Sequence, residues 1–207
     1  MSKCDKVFNV NIYTKILKLW YIPEKRRTSM KNTVLIVMDV QEAIVSDELF
    51  NKDEFIYNVK TLINSSRESN VEVVFIRHCG RKGTAMEEGT PGWEIYHEII
   101  PSEGEKIFNK TYGSAFKMTG LKEYLNNKGI KSIILTGLAA NYCLDTTCKV
   151  AFEYGFEVVI PEGATSTFSN EYLTAQQLCN MYEKDIWNGS LAQVLSVKQV
   201  IEKYIEA

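Results

Sequence analysis

The chain has 207 residues, with 24 Lys+Arg against 26 Asp+Glu for a net charge of −2, and is 45% apolar, 11% aromatic and 24% charged. Those are globular proportions, and a chain of this size buries roughly 70% of its unfolded surface, so a core forms without disulfide staples. Intrinsic disorder, collagen-like repeats and a disulfide mini-scaffold are excluded. Near-neutral charge offers no general attraction to nucleic acid or an anionic membrane, and no run of 18 apolar residues marks a transmembrane helix.

Residues 1–29 stand apart. Lys3, Lys6, Lys15, Lys18, Lys25, Arg26 and Arg27 against Asp5 and Glu24 give them a charge of +5, leaving −7 for the rest. Lys15 and Lys18 interrupt their apolar residues, so no clean signal-peptide core forms. They are expected to be an extension outside the fold, with Met30 a natural start and the domain spanning 30–207. From Thr33 the pattern alternates. Thr33–Met38 is a continuous apolar, β-branched run, as in a strand covered on both faces. Asp53–Arg67 carries Phe55, Ile56, Val59, Leu62 and Ile63 at helical spacing, and Val71–Arg77 is the second strand. A long loop with Gly80, Gly83, Gly89, Pro91 and Gly92 follows, and loops of that length are usually functional or disordered.

Lys106–Asn109 reads as a weak strand. Thr119 is placed to cap a helix running to Lys128, with Gly129 past its end. Strands at Lys131–Thr136, Phe156–Ile160 and Ala192–Val197 alternate with helices at Asn141–Tyr154, Glu171–Lys184 and Lys198–Glu206. This order predicts βαβ crossovers and a three-layer α/β/α domain around a mostly parallel sheet of five to six strands. The cysteines, at 4, 79, 143, 148 and 179, are odd in number and contain no CxxC pair. Reduced thiols in a cytoplasmic protein are the simplest reading.

Ligands of open parallel sheets bind outside the carboxyl ends of the strands, so reactive residues just after a strand are the candidates. Asp39 ends the first strand, where a buried carboxylate is costly unless paired or used, or caps the next turn. Cys143 lies near the start of the helix after KSIILT, where the macrodipole and free N–H groups favour a thiolate, although a buried Cys is usually a small hydrophobe. Lys110 follows KIFN; a lone loop Lys is normally a solvated charge. Together they make a set: a nucleophile, a base and a cation able to stabilise both anions. The one serious His alternative as base is His78, after the second strand, ranked behind Asp39; His97 is expected to be exposed.

The segments LIVMDVQ, FNKTYGSAF and TGLAANYCLDTTCKVAFEYGFEVVIPEGATST resemble the isochorismatase-like cysteine hydrolase family, related to nicotinamidases and N-carbamoylsarcosine amidases, over about Thr33 to Val200. The resemblance implies a Rossmann-like fold and a catalytic triad of Asp39, Lys110 and Cys143. It also implies a cis peptide between Leu138 and Ala139, and an oxyanion hole from the backbone N–H groups of Ala139 and Cys143. Thr147 matches a position that is commonly Thr, with a structural role. Gln41, His78, Trp93, Tyr112, Phe116 and Asn141 are candidate pocket residues, with Trp93 either an aromatic platform or packing under the loop, and Phe116 either pocket floor or core.

The Asp–x–His pair and further His of the metal-binding nicotinamidase branch are not found as a cluster, so neither zinc nor iron, nor any cofactor, is expected. Isochorismatase proper lacks the nucleophilic Cys, so Cys143 points to hydrolysis of a small amide, carbamoyl compound or cyclic amide through a thioester. Gly163–Ala164 replaces an Asp–Ala that family members often carry. The expected partners are a small-molecule substrate and further copies of the chain, a dimer or larger, with no nucleic acid and no membrane. A nucleotide-binding module is disfavoured because no glycine follows the first strand at Asp39–Val40–Gln41–Glu42–Ala43. A Cys143–Cys148 redox pair is disfavoured because residues five apart on a helix point about 140° from each other. A non-catalytic binding member of the family is the remaining alternative.

Overall fold

The computed structural model describes residues 32–207; the readings on 1–29, Met30 and Cys4 lie outside the described residues. The apolar run Thr33–Met38 forms β1 and is buried at every position. Val34, Ile36 and Met38 enter one apolar cluster, Leu35 and Val37 another. A strand whose alternate side chains meet two cores has no polar face, which is why its sequence shows no period. Five more strands complete the sheet: β2 (Glu72–His78), β3 (Lys106–Lys110), β4 (Ser132–Gly137), β5 (Glu157–Glu162) and β6 (Gln193–Ser196). They lie in the order β3-β2-β1-β4-β5-β6, and every pairing is parallel.

Helix α1 (Lys52–Glu68) buries Phe55, Ile56, Val59, Leu62 and Ile63, and Asp53 and Glu54 in its first turn complement the macrodipole. It covers one face of the sheet with α5 (Val197–Val200), which a π-helical turn extends to Ile205. The opposite face carries α2 (Leu121–Asn127), α3 (Asp145–Glu153) and α4 (Ala175–Met181). The result is three layers. Burying apolar area at about 25 cal/mol per Å² makes these two cores the main source of stability. No helix among the described residues is long and apolar enough to cross a membrane.

Several boundaries differ from the sequence reading, each for a local reason. The fourth helix starts at Ala175 instead of Glu171, because Thr174 and Gln177 form a capping box and Asn170 accepts from the Tyr172 and Leu173 N–H groups in a preceding turn. The last helix starts at Val197, set by the capping box of Ser196 and Gln199. Thr119 is not the cap residue of α2; Gly120 is, while the Thr119 hydroxyl accepts from the Leu121 N–H at 3.2 Å. The helix expected from Asn141 begins with a π-helical turn, Ala140–Leu144, before α3 proper. Strand order reverses between β1 and β4, and the crevice at that switch point is where the doubly wound fold leaves room for a ligand.

Candidate active site

Four strands deliver side chains to this crevice. Asp39 follows β1 directly, buried, at φ 50° in the left-handed region that Asp tolerates better than most residues. Its N–H continues the ladder to Ile76 O at 2.9 Å. His78 and Lys110 end β2 and β3 and are register partners. Lys110 lies two strands from β1, and its fully buried side chain reaches under the strand ends to Asp39 Oδ2 at 2.7 Å.

Beyond β4 the chain turns sharply. Gly137 has φ 118°, and a Cβ there would sit 2.1 Å from Met38 O, so only glycine allows β4 to close against β1 at this point. The Leu138–Ala139 peptide is cis. Leu138 N–H donates to Met38 O at 2.8 Å, and Ala140 N–H to Ser166 O at 2.9 Å. Tyr142 and Leu144 N–H groups both donate to Ala139 O, whereas the Ala139 N–H takes no partner among the described residues. Cys143 sits in this turn, half-buried.

Lys110 Nζ is the hub. Besides Asp39 it donates to Cys143 Sγ at 3.2 Å and lies 3.2 Å from His78 Nδ1. Its three N–H groups therefore have three partners. Asp39 Oδ1 is buried with no hydrogen-bond partner. Burial raises the Asp39 pKa despite the opposing pull of Lys110. The His78 pKa is lowered, by burial first and the Lys110 charge second. Burial and the Asp39 carboxylate push the Cys143 thiol up to about 11. The lowered pKa expected from a helix start is thus reversed, by burial first and by the Asp39 carboxylate second. Asp39, His78 and Cys143 each bring a ligand-type atom within 4.8 Å of the others. The Lys110 ammonium is bonded to all three, so a metal ion there would meet a cation.

The sequence candidates separate in the structure. Gln41 is fully buried and committed to backbone: it accepts from His78 N–H at 2.7 Å and donates to His78 O at 3.1 Å and Trp93 O at 2.7 Å. It is therefore a clamp, not a free pocket group. Trp93 is buried, with the Arg77 guanidinium 3.2 Å from its ring centroid and its Nε1–H directed at Cys79 Sγ. The packing alternative holds for it. For Phe116 the core alternative holds. The segment after β3 runs down α3, with Ala115 N–H donating to Thr147 Oγ1, and delivers Phe116 onto Tyr154 and Phe156 at the far end of that helix. The same bond gives Thr147 its structural role. Tyr112 is exposed under the Lys117 ammonium. Asn141, half-buried, accepts from the Thr167 hydroxyl.

Sequence reading missed two supports. Arg77 ties the loop to the sheet, donating to Asn109 and Glu94 while stacking on Trp93. Residues 164–167, just beyond β5, hold the cis turn through Ala164 O, Ser166 N–H and Ser166 O. The strand-end filter would have found the second had it been applied to β5. Gly163, in place of the expected Asp, is left-handed at φ 74° and donated to at its carbonyl by Asn58. Cys148 is buried in the core.

A family model described as the isochorismatase domain matches residues 33–199. Nicotinamidase 3 of Arabidopsis thaliana is 33% identical over 176 residues, 78% of this chain and 86% of its own. A secreted isochorismatase effector of Verticillium dahliae is 29% identical over 153 residues, 72% of this chain and 80% of its own. Among solved structures, a cysteine hydrolase from Pseudomonas syringae has the same fold, with a TM-score of 0.80 at 18% identity, covering 87% of this chain and 95% of that one.

Proposed function

The chain belongs to the isochorismatase family, and we propose that it is a cysteine hydrolase that cleaves a carbon–nitrogen bond of a small molecule through a thioester. The observation that carries this reading is one buried ammonium, Lys110, bonded to both Asp39 and Cys143 at the switch point of the sheet. A relative named a nicotinamidase supports the bond type.

In the proposed reaction Asp39 takes the thiol proton as Cys143 attacks the carbonyl carbon. Burial and the Asp39 carboxylate push the thiol up to about 11, which favours deprotonation in concert with attack, with Lys110 bonded to the sulfur throughout. The oxyanion is held by the Ala139 and Cys143 N–H groups, and donors aimed at developing charge are usually the largest catalytic term. Protonated Asp39 gives its proton to the departing nitrogen, leaving an acyl-Cys143 thioester. The carboxylate then activates water, which releases the acid and regenerates the thiol.

The test is a hydrolysis screen of small carboxamides, ureido compounds, lactams and cyclic imides, nicotinamide among them, with ammonia or amine release as readout. Turnover should vanish in Cys143→Ala, and an acyl adduct should appear on Cys143 by intact mass after rapid quench. Full turnover in Cys143→Ala would refute the mechanism.

A further inference from the structure

His78 has a second nitrogen for which the proposed reaction has no use. The Lys110 ammonium carries donors only. At 3.2 Å from it, His78 Nδ1 can make a hydrogen bond only as an acceptor. A neutral imidazole whose Nδ1 accepts carries its proton on Nε2. The protonation state follows from the same contact, since an imidazolium would set two cations and two donors against each other. Nε2–H has no partner among the described residues, and it is not one of the buried unpartnered atoms.

The backbone that carries the ring is also fixed. Gln41 accepts from His78 N–H and donates to His78 O, and is itself held to the Trp93 carbonyl. A buried residue spending its amide on the N–H and the C=O of one residue gives a rigid base for a half-buried ring. A His78 ring nitrogen lies within 4.8 Å of Cys143 Sγ. Nε2 lies no further than one ring width from that nitrogen, so Nε2–H borders the space that a substrate bound at Cys143 would enter.

Resting on the hydrolase reading above, we infer that His78 is a substrate-binding residue whose Nε2–H donates to a hydrogen-bond acceptor next to the scissile carbonyl. The preferred substrates carry a carboxylate, carbonyl oxygen or ring nitrogen at that position. A site with a fixed donor discriminates against analogues that leave it unpaired.

Two pairs of probes isolate the contact: oxamate against propionamide, and picolinamide against benzamide. In each pair the first member bears the acceptor. His78→Asn places an amide oxygen near the Nδ1 position and keeps an acceptor for Lys110, but lacks the distal donor. His78→Gln restores a donor near Nε2. The preference in kcat/KM for the acceptor-bearing member should fall about 10- to 100-fold in His78→Asn, the scale of one hydrogen bond, and return in part in His78→Gln. An unchanged preference in His78→Asn overturns the inference.

Two arms are independent of turnover. Nitrogen-15 NMR of the full chain should show Nδ1 as the unprotonated nitrogen; the opposite tautomer overturns the inference. In Cys143→Ala protein, oxamate or picolinamide should shift the Nε2–H resonance, and propionamide or benzamide should not. If the shift is seen while the wild type hydrolyses neither these four nor any compound of the wider screen, the hydrolase reading fails and the donor assignment stands. If no probe moves the resonance, the donor assignment fails.

Discussion

Replacing Lys110 by Met tests the centre of the site through stability and pH together. Met fills the buried stem of Lys110 but leaves the buried Asp39 carboxylate without its cation. An isolated buried charge neutralises instead of enduring the loss of solvation. For a carboxyl group with an ordinary pKa near 4, taking up a proton at pH 7 costs about 1.4 kcal/mol per unit over about three units, or about 4 kcal/mol; at pH 5 it costs about 1.5 kcal/mol. The wild-type Asp39 pKa is already raised by burial, which lowers both figures. The expected loss is therefore about 2–4 kcal/mol at pH 7 and under about 1.5 kcal/mol at pH 5. The sign follows from proton counting: the variant's folded state binds a proton that its unfolded state has released, so its relative stability falls as pH rises. Urea unfolding at the two pH values measures this. The double variant Asp39→Asn/Lys110→Met should recover most of the loss at pH 7. An equal loss at both pH values, or none at pH 7, would show that Asp39 is not held ionised by Lys110.

Three further outcomes follow from the same structure. A Cys143 thiol near 11 is about one part in ten thousand thiolate at pH 7, so alkylation of Cys143 by iodoacetamide, followed by mass mapping, should be slow at pH 7 and climb steadily past pH 9; a rate already at its plateau by pH 8 sinks this reading. Gly137→Ala must fit a Cβ 2.1 Å from Met38 O at φ 118°, and should cost more than about 3 kcal/mol or abolish folding, whereas Gly155→Ala, at φ 82° with open space around it, should cost about 1–2 kcal/mol; similar melting midpoints for the two variants contradict the close approach of β1 and β4. Glu183 is buried against the Thr165 hydroxyl at 2.6 Å, and burial raises its pKa, so between its ordinary and its raised value the folded state binds more proton than the unfolded chain. Wild-type stability should thus fall as pH rises from the ordinary carboxylate range to the raised value, and Glu183→Gln should remove that part of the slope in urea melts; parallel slopes count against it.

The strand-end rule brought Asp39, Lys110 and Cys143 together from sequence because a parallel sheet gathers the residues after its strands at one edge whatever their separation along the chain. What the rule lacked was side-chain direction. Gln41 and Phe116 also follow strands, yet one turns back onto the peptide units of His78 and Trp93 and the other is carried down α3 into the core. Apolar patterning and cap residues located the six strands and the five α-helices described here, but they missed the short helical turn at Pro91–Trp93 and the helix starts where a short polar pair decides, as at Thr174 with Gln177 and Ser196 with Gln199. The thiol's state was not legible at all. A helix start predicts a lowered pKa, but the thiol here is part-buried beside the Asp39 carboxylate, and neither fact is local in sequence.

The same burial that hides the thiolate explains why one lysine suffices as the cation of the proposed mechanism. Burial acts on both members of the proton transfer, raising Asp39 and Cys143 alike. It makes the base stronger and the acid weaker, and the two effects offset each other. The difference left to overcome is electrostatic: negative charge leaves the carboxylate and arrives on sulfur. Lys110 is bonded to both atoms, at 2.7 and 3.2 Å. The ion pair is therefore never broken; it changes its anion while the cation stays in place, and the low-dielectric surroundings that would punish a separated charge see the same net charge before and after. An arrangement with two separate cations would have left one uncompensated at each end of the transfer. On this argument the short reach from β3 across β2 to β1 matters more than the identity of any one group, and the register of His78 with Lys110 sets where that reach begins.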